Sequence, residues 1–284
     1  MKTKTGSDKH ILFRGERIYF SDEGKGRTVV LVHGFLGAKE IWKTTQDLLK
    51  KHFRIISIDL PGHGKSACYG YIHSMELFAK AVKAVMDSLK LKKYILVGHS
   101  MGGYASLAFA ELFPDNLKGL CLFHSTCYAD SEEKKRDRAR AVRLVKADAR
   151  VYSKNTIKNL FAVKNLHKHK TEISFAQKIA LKISKRGIVS ALEGMKERPN
   201  RDIVMNFSEY TIMMVIGRYD AVLPMQSLLN QSEFIPSKYV LLLENDGHMG
   251  FLENPVASVK HLKRFFRLSF KRQGKALNIF ESEF

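Results

Sequence analysis

Gly98-His99-Ser100-Met101-Gly102, followed by Gly103, joins an unbroken apolar run from Tyr94 to Gly98 to a stretch of small and apolar residues that opens at Met101. The run reads as a buried strand and the stretch as a helix, so the G-x-S-x-G pattern falls on a strand-to-helix turn. Such a turn needs small flanking residues, because a side chain there would meet neighbouring backbone, and it lifts the Ser100 hydroxyl above the sheet. It also sets the Met101 N–H at a helix N-terminus, where that group can donate to a developing oxyanion. The chemistry implied is attack by Ser100 on a carbonyl carbon.

A serine hydroxyl is a weak nucleophile unless a base takes its proton, and the base must be oriented by a carboxylate. Among 11 histidines, His248 lies in the turn Asn245-Asp246-Gly247-His248-Met249-Gly250, beyond the strand-like run Tyr239 to Leu243. The C-terminal ends of strands are where α/β sheets place their sites. His52, His167, His169 and His261 stand in lysine-rich helical surroundings and read as surface residues. His33 and His63 belong to glycine turns, and His99 is inside the elbow. The acid is expected at Asp220, in the turn after the strand Thr211 to Gly217. Asp246 competes with it, but two residues from His248 it reads better as a turn former. The position after Leu117 to Phe123 offers His124, Ser125 and Thr126 and no carboxylate before Asp130. His124, Trp42 and Met249 are expected in the pocket wall, and Cys121 and Cys127 near a strand end.

Elements able to hold these residues alternate along the chain. A hairpin, Ile11 to Phe13 and Arg17 to Phe20, precedes the β-branched run Thr28 to His33, and Phe53 to Asp59 repeats that pattern. Helical spacing appears in Ser74 to Lys90, where Phe78, Val82, Val85 and Leu89 share a face, and in Lys39 to Lys51, Met101 to Phe113 and Val256 to Phe266. Strand and helix in alternation predict an α/β fold with a mostly parallel sheet flanked by helices. Ser131 to Arg201 departs from this, because it reads as several helices and carries no convincing strand.

Composition is that of a globular protein: 284 residues, 45% hydrophobic and 27% charged, with no apolar run long enough to cross a bilayer and no signal-peptide pattern in the charged start. Cys68, Cys121 and Cys127 are too few for a disulfide framework, so a soluble, cytoplasmic protein in a reducing compartment is expected. The net charge of +20 is unevenly placed. Ser131 to Arg201 holds 20 basic and 7 acidic residues, and Lys260 to Lys275 holds 7 basic and no acidic ones. Lys134, Lys135, Arg136, Arg138, Arg140 and Arg143 could form a patch, though a basic helix with apolar residues on one face usually presents its charges to solvent. The terminal aromatics Phe265, Phe266 and Phe270 are expected to pack on the sheet.

His33-Gly34-Phe35, Asp59-Leu60-Pro61-Gly62-His63-Gly64-Lys65-Ser66, the Ser100 elbow, the Asp220 turn and Asp246-Gly247-His248 together resemble the α/β-hydrolase superfamily, in the order nucleophile, acid, base. The resemblance implies a hydrolase core at 1–126 and 207–284, with an inserted helical cap at 127–206. It implies that the Phe35 N–H is a second oxyanion donor beside Met101, and that Asp59 is a structural turn residue. The activity it implies is carboxylic ester hydrolysis through an acyl-enzyme, with no metal or organic cofactor. The implied partner is a small ester, which the cap's charge could steer if the ester is anionic. No nucleic acid or membrane is required, and the basic segments leave polyanion binding open. Alternatives on the same residues are C–C bond, enol-lactone or thioester hydrolysis and cofactor-free perhydrolysis; a second class is a ligand-binding protein without turnover.

Overall fold

The structure is a computed structural model and describes residues 8–233 and 235–271. The first residues of the charged start and the last basic residues, Arg272 and Lys275, lie outside that range. In chain order the strands are β1 (Lys9–Phe13), β2 (Glu16–Glu23), β3 (Thr28–Val32), β4 (Arg54–Ile58), β5 (Tyr94–His99), β6 (Leu117–Phe123), β7 (Thr211–Gly217) and β8 (Val240–Leu243). The helices are α1 (Lys43–Leu49), α2 (Met75–Ser88), α3 (Met101–Leu112), α4 (Glu132–Asn159), α5 (Lys170–Ala180), α6 (Lys185–Lys196), α7 (Asp202–Asn206), α8 (Met225–Gln231), α9 (Gly250–Glu253) and α10 (Pro255–Lys271).

One eight-stranded sheet runs in the order β1-β2-β4-β3-β5-β6-β7-β8. β1 and β2 form the expected hairpin, β2 pairs antiparallel with β4, and every other pairing is parallel. β3, β5 and β7 are buried along their whole length, which explains their continuous apolar sequences. The chain passes from β3 to β4 on one side and then to β5 on the other. A crevice therefore opens between the ends of β3 and β5, the place where such sheets bind ligands.

The helices lie close to where their periodicity predicts, except that the expected helix Lys39 to Lys51 is a 3-10 turn at Lys39–Trp42 followed by α1. α2 starts at Ser74, whose hydroxyl accepts from the Leu77 N–H, and it buries Phe78, Val82 and Val85. On α10, Phe265 and Phe266 are buried, with Phe265 against Gly119 of β6, while Lys260, Arg264 and Arg267 face outward. Between β6 and β7 come α4 to α7 and no strand among the described residues. The two ends of this segment meet, because the Arg201 N–H donates to the Cys127 carbonyl at 2.8 Å. α4 is broken at Asp148, where the backbone leaves helical geometry and the carboxylate caps the following turn through the N–H groups of Arg150 and Val151. Among the described residues no helix is long and apolar enough to cross a membrane.

Candidate active site

Ser100 sits between β5 and α3 with φ +50° and ψ −116°, a conformation that residues with side chains rarely adopt. The surrounding glycines make it attainable. A Cβ on Gly98 would run into the Gly102 carbonyl, one on Gly102 into the Val32 carbonyl, and one on Gly103 into the Ser125 hydroxyl. The elbow is tied to β6, since the Ser100 N–H donates to the Phe123 carbonyl at 3.0 Å and the Ser125 hydroxyl to the Ser100 carbonyl at 2.9 Å. Met101 opens α3, so its N–H is among those with no partner within the helix.

His248 Nδ1 lies 2.7 Å from Asp220 Oδ2, and both side chains are buried. A carboxylate only accepts, so Nδ1 carries the proton of this bond. Asp220 Oδ1 accepts from the N–H groups of Val222 and Leu223 at 2.8 and 3.0 Å, which fixes the carboxylate plane. Burial opposes the charge of Asp220, but His248 and these hydrogen bonds prevail and hold its carboxyl down at about 2. Asp246, the competing acid, does not reach the ring. It is buried, and its carbonyl accepts from the Tyr219 N–H, as befits a turn residue.

A cavity of about 210 Å³ is lined by Ser100, His248, Phe35 and His99 on the sheet side. α4 and α6 supply most of the rest, including Lys134, Asp137, Arg138, Tyr152, Leu192 and Met195. Trp42 and His124, expected in the wall, are not there. Trp42 is fully buried against Phe251, with ring centroids 4.3 Å apart, and Met249 borders only a smaller neighbouring recess. His124 stands behind the ring of His248, its Nε2 accepting from the Gly250 N–H at 3.2 Å and its Nδ1 3.9 Å from Asp220. Burial pushes His124 down to about 3, Asp220 opposing and His248 assisting, so His124 stays neutral beside the carboxylate.

Two features escaped the sequence reading. Arg138 belongs to the basic stretch whose charges are expected to face solvent, yet it turns inward onto Asp130; its place three residues before Ala141 and four before Val142, on the buried face of α4, is the signal the sequence offers. Glu253 is the other. Its carboxylate accepts from the N–H groups of Gly247 at 2.9 Å and Met249 at 3.3 Å, which flank His248, and from Ala162 at 3.1 Å. Asp59 matches its expected structural role, holding the N–H groups of Lys39 and Lys65 and the Lys39 ammonium. No group of three or more His, Cys, Asp or Glu residues among the described residues is arranged to hold a metal ion.

The model of the α/β hydrolase fold family matches residues 27–255. The chain belongs to the α/β hydrolase fold family. This α/β hydrolase is 22% identical over 246 residues to a pimeloyl-(acyl-carrier protein) methyl ester esterase of Wigglesworthia glossinidia brevipalpis, covering 84% of this chain and 93% of that protein. It is 40% identical over 108 residues to the dihydrolipoyllysine-residue acetyltransferase component of the acetoin cleaving system of Pseudomonas putida, a match spanning 38% of this chain and only 29% of that protein. Among solved structures, a thermophilic esterase from Thermogutta terrifontis superposes with a TM-score of 0.87 at 27% identity, over 93% of this chain and 99% of that one.

Proposed function

We propose that the protein is a serine hydrolase that cleaves carboxylic esters of small to medium size through an acyl-enzyme. The observation that carries this reading is the 2.7 Å bond from His248 Nδ1 to Asp220, made beside a cavity that Ser100 and His248 share. In the proposed cycle Ser100 Oγ adds to the ester carbonyl as its proton passes to His248 Nε2. The resulting oxyanion is taken by the N–H groups of Phe35 and Met101, and Asp220 steadies the imidazolium without accepting its proton. Collapse expels the alkoxide, which leaves with the proton from Nε2. Water then enters by the same route in reverse and releases the acid.

Residues 127–206, the segment that carries the second wall of the cavity, are assigned as a cap over Ser100. Its joined ends at Cys127 and Arg201 support that assignment. The free thiols of Cys68, Cys121 and Cys127 support a reducing compartment, the cytoplasm.

The test is hydrolysis of a p-nitrophenyl ester series from acetyl to decanoyl by the wild type and Ser100→Ala, with a phosphonate to titrate the serine. Turnover that is lost in Ser100→Ala, with one phosphonate bound per chain, is the expected result. Labelling without ester turnover would move the reading to another bond or to a ligand-binding protein.

A further inference from the structure

The α4 side of the cavity is charged. Lys134, Asp137, Arg138 and Ala141 repeat at helical spacing and line the same wall. Arg138 is the buried member, with 12% of its side chain exposed. Its Nε and Nη2 are taken by Asp130, whereas Nη1 meets only the Met195 sulfur at 3.4 Å. A thioether is a weak acceptor, so part of a buried guanidinium in the cavity wall is left with poor hydrogen bonding.

Nor is the local charge balanced. Asp130 is shared with a second guanidinium, since Arg198 Nη1 lies 2.7 Å from Oδ1 and its side chain is 4% exposed. Arg198 is itself stacked 4.0 Å over the ring of Tyr104, another cavity residue. One carboxylate therefore serves two buried cations. Lys134, half-buried on the same wall, adds a further positive charge, because the ion pairs at the start of α4 use Lys135, Arg138 and Arg140 and leave Lys134 without one among the described residues. The carboxylate of Asp137 faces Arg140 at 3.2 Å, and that pair is open to solvent. Excess positive charge held out of water is costly unless an anion meets it.

We infer that this cavity takes esters carrying a free carboxylate, the half-esters of short dicarboxylic acids, with the carboxylate held by Arg138 Nη1 and Lys134. The inference rests on the ester-hydrolase reading above. The apolar remainder of the wall, Phe35, Leu160, Leu192 and Val222, suits the short methylene chain between the two ends, and a cavity of about 210 Å³ limits its length.

The experiment compares kcat/KM for monomethyl succinate, glutarate and adipate with that for neutral methyl esters of matched chain length, following acid release. The wild type should prefer the anionic member by about 10-fold or more, chiefly through KM, as expected for a charge-assisted contact made in a buried site. Arg138→Gln and Lys134→Gln should each bring that ratio toward unity, with Arg138→Lys intermediate because a single ammonium replaces the fork. Asp137→Asn should raise the ratio, and Lys135→Gln, outside the cavity, should leave it unchanged. Calorimetry of glutarate with Ser100→Ala reads the same subsite without turnover: binding should be present there and lost when Arg138→Gln is added. A wild type that treats both esters alike, or a preference that survives both Arg138→Gln and Lys134→Gln, overturns the proposal. Glutarate binding that depends on Arg138 without hydrolysis of any ester would keep the subsite and overturn the ester-hydrolase reading. Should Arg138→Gln fail to fold, Lys134→Gln and Asp137→Asn still decide it through their opposite signs.

Discussion

The main-chain N–H of His248 donates to the carbonyl of Leu160 at 2.7 Å. Leu160 follows directly on α4, so the helical segment over the cavity is bonded to the backbone of the proposed base itself. Glu253 reinforces the joint by holding Gly247, Met249 and Ala162 together. Glu253→Ala should therefore lower kcat by about 10-fold or more while changing KM less, because it loosens the imidazole and leaves Phe35 and the acyl wall in place. Steady-state kinetics on one ester checks this; a loss confined to KM would contradict it. Each N–H group orphaned in a buried position should also cost about 1–3 kcal/mol in stability, read by urea unfolding.

The assignment of acid and base separates two aspartates. Ser100→Ala and His248→Ala should each reduce kcat by several orders of magnitude, and Asp220→Ala by about 10³-fold or more. Asp246→Ala, which leaves the 2.7 Å bond untouched, should cost far less. Equal losses at Asp220 and Asp246 would sink the assignment.

The elbow tolerates no added methyl group. Gly98→Ala and Gly102→Ala each drive a Cβ into a main-chain carbonyl that a rotamer change cannot move. Each should destabilise the fold by about 2–3 kcal/mol or more, measured as a fall in Tm. Unchanged melting in both would mean that the strand-to-helix turn is wider than described.

Glu253 also gives stability a pH signature. Burial raises its carboxyl to about 7 from an ordinary 4.5, although its three N–H donors pull the other way. Between those two values the folded chain binds a proton that the unfolded chain has released, so this group's contribution falls as pH rises from about 4.5 to 7 and is level above. Glu253→Gln lacks the titration. Wild-type Tm minus variant Tm should therefore decrease by several degrees between pH 5 and pH 8, equivalent to about 3 kcal/mol at most. A difference that widened with pH would refute it.

Ser100, Asp220 and His248 are legible as candidates because each is encoded locally, by a glycine frame or by the turn after an apolar strand, and the structure bonds His248 to Asp220 and sets Ser100 and His248 on one cavity. The strands were legible for the same reason: burial on both faces leaves an uninterrupted apolar run, as in β3 and β5. The cavity wall was not legible. Arg138 and Lys135 belong to the same basic stretch; the spacing of Arg138 from Ala141 and Val142 marks its face of the helix, but the packing of α4 on α6 is what turns it inward onto Asp130 and leaves Lys135 out. Trp42 misled in the opposite way, since a large aromatic near a glycine turn suits a pocket wall and a core equally, and its contacts with Phe251 and Phe123 place it in the core. Glu253 gave no pattern at all, because its partners are main-chain N–H groups, which any sequence supplies.

The unusual backbone at Ser100 sets stability against the proposed chemistry. A residue at φ +50° and ψ −116° stores about 1–3 kcal/mol, and glycine would adopt that conformation at less cost. With Ser100 as the proposed nucleophile, Ser100→Gly should end turnover while easing the fold. On that reading the hydroxyl is held at a cost in stability, and its removal would leave a sturdier protein with the same cavity and no turnover.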